Sequence, residues 1–506
     1  MIRQSIKPVL SVILILALVI GAVISAGAET AEDVTVESID FQRDDFIRGM
    51  DVSSLLSLEK AGVKLCDEQG KGSDPLRILS EHGVNYIHVR VWNDPYDADG
   101  NSYGGGNCDV NTACEIGRRA AKYGMKLLVD FHYSDVWADP AKQKVPKAWE
   151  NYSVKEKEDA LYDFTFSSLK DIRDAGADIG MVQIGNETTS GMAGVSDFAD
   201  MANLFKAGSR ATRAFDENIL VAIHFTNPDR TDTMKWYADY LNENSVDYDV
   251  FATSYYPFWH GSLTNLTEVL SYVADTYGKL TMVAETSYPF TLEDTDGQPN
   301  TVSRWNNSTG DDLLWEFSPQ GQADELRAVM NAVNNVSSGK GLGVFYWEGA
   351  WITVGDTTGC LGDMYTMRVA QNYEIWEQYG CGWASPYAAE YDPEAGRYGG
   401  GSAVDNQAFF DASGKALPSL KAFMMVRGYS RSYYLGDADL DGEVTVLDAT
   451  AIQKYLASLS RLSEEGLLAA DVEESGEQVN ILSATYIQKY LAAIATNCAV
   501  GAVRFA

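Results

Sequence analysis

A chain of 506 residues with a 45% hydrophobic content can build one large domain and a smaller companion. Its formal charge of −33 at pH 7 argues against nucleic acid and other polyanionic partners. The same acidity suits calcium ligation and solubility outside the cell, and an aromatic content of 11% suits a cleft whose rings stack on sugars.

The first 28 residues read as a secretory peptide. Arg3 and Lys7 precede an apolar run from Pro8 to Val23, and Ala26-Gly27-Ala28 supplies the small residues of a cleavage site. That run is short for a membrane span and no comparable stretch follows, so the mature chain is expected to be extracellular with no span of its own. Cys66, Cys108, Cys114, Cys360, Cys381 and Cys498 include no CxxC pair and no zinc-like His spacing; only Cys108 and Cys114 are close enough in sequence to suggest a bridge.

From Phe46 to Leu420, short β-rich apolar runs alternate with longer segments of helical period. The predicted strands are Ile47–Val52, Tyr86–Trp92, Lys126–His132, Ile179–Asn186, Ile219–His224, Val250–Tyr255, Leu280–Glu285 and Gly343–Trp347. Helices are predicted over Asp74–His82, Val110–Tyr123, Val154–Ala175, Phe198–Phe215, Met234–Asn244, Asn265–Tyr277 and Gln322–Ser337. Eight strands with intervening helices predict an α/β fold, a (β/α)8 TIM barrel over residues 40–427, and no Gly-rich dinucleotide fingerprint follows the first strand. A Gly-, Asp- and Ser-rich stretch at 391–415 is expected to wrap the barrel, Leu417–Met425 to form a last helix, and 428–435 to be a short linker.

The strand ends carry the chemistry. Asp51, Arg90, Trp92, His132, Asn186, Glu187, His224, Tyr255, Glu285 and Trp347 end the eight strands, and in a barrel these ends converge on one mouth. Gln183-Ile-Gly-Asn-Glu187 ends the fourth strand and Ala284-Glu-Thr-Ser-Tyr288 the seventh. Retaining glycoside hydrolysis needs two carboxyl groups roughly 5–5.5 Å apart, one protonated and one ionised. Glu187 is therefore expected to be the acid/base, its pKa raised by burial and a negative neighbour, and Glu285 the nucleophile. Asn186 is placed to bond the sugar 2-hydroxyl, and Tyr255 to hold Glu285 ionised by donating its phenolic proton.

Five blocks together carry a resemblance. The longest is Asp130-Phe-His-Tyr-Ser-Asp-Val-Trp-Ala-Asp-Pro-Ala-Lys-Gln-Lys-Val-Pro-Lys-Ala-Trp149. Arg90-Val-Trp-Asn-Asp94, Val182-Gln-Ile-Gly-Asn-Glu187, Glu285-Thr-Ser-Tyr288 and Phe345-Tyr-Trp-Glu-Gly-Ala-Trp351 follow the same order. From about Phe46 to Phe423 the chain resembles glycoside hydrolase family 53, the clan A endo-β-1,4-galactanases. The resemblance implies endo-cleavage of β-1,4-galactan in pectic, type I arabinogalactan through a covalent galactosyl-enzyme. It also implies acid/base at Glu187, nucleophile at Glu285, and a site shaped by Asp51, Arg90, His132, Asn186, His224, Tyr255 and Trp347.

Two segments point to calcium. Asp294-Thr-Asp-Gly-Gln-Pro-Asn300 spaces oxygen ligands two residues apart, which by itself is also the pattern of a polar surface loop. The resemblance implies one calcium here, on Asp294, Asp296 and Asn300, tying this loop to the one after the eighth strand; Gln298 stands where the family often has His. Residues 436–497 hold a repeat, Asp448-Ala-Thr-Ala-Ile-Gln-Lys-Tyr-Leu456 recurring as Ser483-Ala-Thr-Tyr-Ile-Gln-Lys-Tyr-Leu491. Before the first copy, Asp437, Asp439, Asp441 and Asp448 occupy positions 1, 3, 5 and 12 of an EF-hand loop with Gly442 at 6. The second loop, from Asp471, is one residue longer and ends in Ser483, so weak or no calcium binding is expected there.

This duplicated unit resembles a dockerin, a small all-α domain with paired EF-hand-like calcium loops. A dockerin implies at least one calcium, a cohesin module of a scaffoldin as partner, and a place in a cellulosome or on the cell surface. Lys454-Tyr455 and Lys489-Tyr490 lie on equivalent faces as candidate cohesin contacts or as helix packing. Two other readings of the barrel stand beside the galactanase: another clan A endo-glycanase, a mannanase or cellulase, and a catalytically silent carbohydrate-binding protein attached to the scaffold.

Overall fold

The computed structural model describes residues 33–303, 313–397, 399–474, 476 and 479–506, so the expected secretory peptide lies outside the described residues. Strands β1 (Ile47–Asp51), β2 (Tyr86–Val91), β3 (Lys126–Phe131), β4 (Ile179–Ile184), β5 (Leu220–Phe225), β6 (Val250–Ser254), β7 (Leu280–Thr286) and β8 (Gly341–Tyr346) close into a barrel in chain order. Neighbours run parallel throughout, including β8 with β1. The predicted TIM barrel is the observed one.

The helices are α1 (Leu55–Lys60), α2 (Pro75–Glu81), α3 (Val110–Lys122), α4 (Val154–Asp174), α5 (Phe198–Phe215), α6 (Thr231–Glu243), α7 (Leu263–Tyr277), α8 (Pro319–Asn334), α9 (Asp363–Tyr379), α10 (Pro393–Arg397) and α11 (Ala422–Met425). Their starts are written in the sequence: Asp74, Asp109, Ser153, Asp197, Ser262 and Ser318 each accept a backbone N–H of the first turn. Ser153 and Glu156 complete a reciprocal capping box, worth about 1 kcal/mol as a cap. Helix α9, which no apolar stripe announces, is the long element that sequence periodicity missed.

Burial divides into an outer and an inner layer. Val89, Val129, Val182, Ile223, Phe251, Val283 and Val344 face the helices and join their apolar stripes. Inside the barrel lie Ile47, Tyr86, Leu128, Met181, Ala222, Val250, Ala252, Met282, Ala284, Leu342 and Phe345. Strands covered on both faces in this way read as near-continuous apolar runs. The Phe345 ring meets Tyr86 edge-on at 5.7 Å and fills the space above Gly49, where an added Cβ would lie 2.1 Å from a ring carbon.

At the amino-terminal end of the strands, α11 returns to the barrel so closely that a Cβ on Gly83 would meet the Met424 backbone at 2.9 Å. All six cysteines are free thiols; Cys108 is buried with Sγ 3.0 Å from the Gly105 carbonyl, and no bridge to Cys114 forms.

The carboxy-terminal unit pairs α12 (Val446–Leu456) with α14 (Ile481–Leu491), joined through α13 (Glu464–Ala470). The repeated sequence places Ala449 and Ile452 opposite Ala484 and Ile487 in one small core. Strand geometry also appears where a plain linker was expected: β9 (Ser432–Tyr434) pairs antiparallel with β10 (Val503–Phe505), closing the unit at its base.

Gly49→Ala is expected to lower stability by about 1–3 kcal/mol, the cost of overpacking a filled core. A thermal melt followed by circular dichroism measures it, and an unchanged midpoint would show that Phe345 has room to turn aside.

Candidate active site

The interior changes character toward the carboxyl ends of the strands, where the side chains are polar. His88 lies between two carboxylates, 3.2 Å from Asp51 and 3.3 Å from Asp130. Gln183 donates to Asp130 at 2.7 Å and sits 3.1 Å from Nδ1 of His224. The His224 Nε2 lies 2.9 Å from the Ser254 hydroxyl, which donates to Glu187 at 2.6 Å. A chain of polar contacts thus crosses the barrel from β1 to β6 and ends on Glu187. His132 touches the same carboxylate, 3.2 Å from Asp130, while its Nδ1 accepts the Ala138 amide. Burial alone would raise Asp130, but His132 and His88 hold it well below the usual carboxylate range. Burial also lowers His224 to about 3, so it is neutral in this chain.

Glu187 follows β4 with φ of 44°, a left-handed conformation that turns its side chain over the mouth. Burial pushes its carboxyl up to about 7, opposed by Ser254 and reinforced by Asp139 and Asp130. Glu285 reaches the same space through an irregularity in β7. Between Val283 and Thr286 the register against β8 slips, so that Ala284 and Glu285 can both serve the interior while Thr286 turns to the buried Glu325 on α8. Burial and then the charge of Glu187 raise Glu285 well above its ordinary value, while the Tyr256 phenol opposes this by donating to it at 2.8 Å. The charge of Glu187 thus disfavours a charge on Glu285, so the pair takes up its first charge more readily than its second.

Both line a cleft of about 420 Å³ with Arg90, His132, Trp137, Asn186, Trp259, Trp347 and Trp383. Trp137 and Trp383 stack at 4.6 Å with 17° between planes, and Trp347 closes on Trp137 at 6.2 Å. Beneath this wall the Arg90 guanidinium lies 4.6 Å from the Trp137 ring centre. It donates to Asp51 at 3.2 Å and to Glu348, whose other oxygen accepts from Ser54 at 2.7 Å. An aromatic wall, a buried cation and two raised carboxyls make a place where a pyranose ring can stack while a glycosidic oxygen meets a proton donor.

The glycosyl hydrolase family 53 model matches residues 47–423, and the dockerin type I domain model matches residues 435–492. The chain belongs to glycosyl hydrolase family 53. An endo-β-1,4-galactanase of Bacillus subtilis is 55% identical over 394 residues, covering 78% of this chain and 89% of that protein. An arabinogalactan endo-β-1,4-galactanase of Cellvibrio japonicus is 32% identical over 322 residues, covering 61% of this chain and 81% of that protein. Among solved structures, the family 53 catalytic domain of Ignisphaera aggregans aligns with a TM-score of 0.67 at 37% identity, covering 78% of this chain and 99% of that one.

Within this family 53 barrel, Glu187, Glu285, Arg90, His132, Asn186 and Trp347 line the cleft, as their strand ends led one to expect. Asp51 and His224 do not; Asp51 accepts from Arg90, while His224 accepts the Glu187 amide at 3.4 Å and contacts the Ser254 hydroxyl. Tyr255 requires a correction. Along β6, Val250, Ala252 and Ser254 point inward, so Tyr255 points outward into the helix layer and donates to the Gly261 carbonyl at 3.0 Å. The next inward position is Tyr256, and the phenol on Glu285 is its own. Strict alternation carried two residues past the end of β6 would have found it. Trp137 lay within the long third-strand block, whereas Trp383 arrives from beyond α9, and no local pattern marks it.

The acidic loop after β7 brings Asp294 and Asp296 together with Asp405, their carboxylate oxygens within 4.8 Å of one another. Asn300 is buried nearby, and its Oδ1 and Oδ1 of Asp405 have no hydrogen-bond partner, a donor set that fits a hard cation. Asp405 was not foreseen. Sequence spacing points to ligands within one loop, and this one comes from a segment more than a hundred residues later. In the carboxy-terminal unit Asp437, Asp439 and Asp441 converge likewise. Asp448 is buried beside them and accepts the Asp439 and Thr445 amides at 3.1 and 2.7 Å, so it closes the loop and caps α12.

Tyr256→Phe removes a hydrogen bond to a charged group, worth about 1.5–3 kcal/mol or about 1–2 pH units. The bond favours the ionised form of Glu285, so its loss raises that pKa. The acid limb of the kcat/KM profile is expected to move to higher pH. Tyr255→Phe is expected to leave that limb in place.

Proposed function

We propose that this chain is a secreted endo-β-1,4-galactanase that cleaves galactan with retention of anomeric configuration and is carried by a scaffoldin through its dockerin. The reading rests above all on Glu187 and Glu285, brought from β4 and β7 to one aromatic-walled cleft. The names of the Bacillus subtilis and Cellvibrio japonicus relatives support galactan as the substrate.

In this mechanism Glu187 holds the proton and Glu285 the charge: with Glu187 protonated, the charge that raises Glu285 is gone and the Tyr256 bond favours its ionised form. A phenol is a more acidic donor than an aliphatic hydroxyl, so Tyr256 stabilises a carboxylate better than Ser254 does. Glu187 gives its proton to the departing glycosidic oxygen as a carboxylate oxygen of Glu285 bonds to the anomeric carbon. Glu187, now a base, then takes a proton from the water that releases the sugar from Glu285. Trp137, Trp347 and Trp383 hold the pyranose faces, and Asn186 bonds the 2-hydroxyl of the sugar being cleaved.

On linear β-1,4-galactan, with β-mannan and cellulose alongside, the wild type is expected to release mid-chain products from galactan alone. Glu187→Gln and Glu285→Gln are expected to lose at least about 10³-fold in kcat. Proton NMR of the first products distinguishes β from α anomers; an α product would overturn retention, and cleavage of mannan or cellulose in place of galactan would overturn the substrate.

Calcium enters this reading as a clamp. Asp294, Asp296, Asn300 and Asp405 would hold one ion in the barrel, and Asp437, Asp439 and Asp441 another in the dockerin. Calcium bound there would neutralise carboxyls that burial otherwise raises, Asp405 to about 6. At a hundredfold excess over its dissociation constant it would add about 2.7 kcal/mol of stability. Calcium is therefore expected to raise the melting temperature, and Asp405→Asn to remove most of that rise.

The cohesin face is supported by a repeat of exposure. Val446 and Leu447 open α12, Ile481 and Leu482 open α14, and all four are 49–58% exposed at equivalent positions. Tyr490 is also exposed while Tyr455 is half-buried, so the two Lys-Tyr pairs are not equivalent.

A further inference from the structure

A short linker is expected over residues 428–435, yet most of that segment is folded into the dockerin. Ser430 and Arg431 donate their amides to the carbonyl of Ala506, the Ala506 amide returns to Arg431, and Tyr429 stacks on Phe505 at 5.5 Å. With β9 paired to β10, little slack separates the dockerin from the barrel.

What lies across that short gap is a polar contact on α2. The Arg77 guanidinium sits 4.6 Å from the centre of the Tyr434 ring, and its Nε donates to the Tyr434 hydroxyl at 2.8 Å. That hydroxyl donates to Glu81 at 2.6 Å, and Glu81 also accepts from Arg77 at 2.8 Å, so the three groups close a triangle. Arg77 reaches further, donating through Nη2 to the carbonyl of Gly442 at position 6 of the first calcium loop. The amide of the same Gly442 donates to Asp437 at 3.0 Å, and Asp437 is one of the three converging carboxylates.

We infer that α2 of the barrel is a seat for the first calcium loop of the dockerin, and that seating and calcium binding reinforce one another. Arg77 grips the loop by a backbone carbonyl that is presented while Asp437, Asp439 and Asp441 converge. A contact that recognises the metal-ready loop must favour metal binding, and by reciprocity metal binding must favour the contact. Arg77 supplies the grip, Glu81 orients Arg77, and Tyr434 ties both to the segment that leads into the loop. The inference rests on calcium filling this loop, as proposed above.

Hydrogen–deuterium exchange on the full chain reads both sides of the contact. With calcium present, slow exchange is expected over residues 76–82 and 437–443. Asp439→Ala, which touches the dockerin loop and not the barrel's own acidic cluster, is expected to speed exchange several-fold at both segments. Arg77→Ala and Tyr434→Phe are expected to do the same, with galactan hydrolysis unchanged. If Asp439→Ala loosens only 437–443, or Arg77→Ala loosens only 76–82, the coupling is overturned. Calcium content measured on the same samples separates the two readings: if Asp439→Ala retains the full wild-type content, the loop is not the calcium site and this inference falls with that assignment.

Discussion

The buried polar chain that crosses the upper barrel is the constraint on which the site depends. Asp51, His88, Asp130, Gln183, His224 and Ser254 come from β1 to β6, one after another, and end on Glu187. Each is an interior position that a purely structural barrel would fill with Val, Ile or Leu. Left without partners, such groups would cost about 1–3 kcal/mol apiece, so each has its neighbour as a partner and none can be replaced in isolation. The gain is support directly beneath Glu187 and Glu285. The Glu187 carboxyl, proposed as the group that gives and takes a proton, is held through Ser254 by this series of contacts rather than by loop packing.

Local backbone irregularity delivers the rest. Glu187 and Glu348 adopt left-handed φ values of 44° and 47°, conformations that non-glycine residues enter at a cost and keep only where their surroundings hold them. The register slip in β7 does similar work for Glu285. A regular strand would alternate inward and outward, and could not point two successive residues toward the barrel interior. The barrel therefore supplies a frame, and its departures from regularity place the carboxyls.

This division explains how much could be read from sequence. The eight strands and most helices announced themselves by apolar period and by caps such as Ser153 with Glu156, since both depend on neighbours a few residues away. That Glu187 and Glu285 meet in one cleft was legible because strand ends converge by topology. Tyr255 was misassigned for Tyr256 because the inward phase of β6 continues past its last hydrogen-bonded residue, where a count of strand ends stops. Trp383 and Asp405 act through partners far away in the chain, so nothing in their own surroundings marks them. Helix α9 escaped for another reason: most of its side chains are exposed, so it lacks the apolar stripe by which a helix is recognised.

The return of α11 against Gly83 places the exit of the barrel at the amino-terminal end of the strands, and Arg77 and Glu81 belong to the helix that leads into Gly83. The cleft opens at the opposite end. Under the scaffold attachment proposed above, an enzyme moored by its floor would turn its mouth outward, and a polymer strand could be cut and released without passing the mooring.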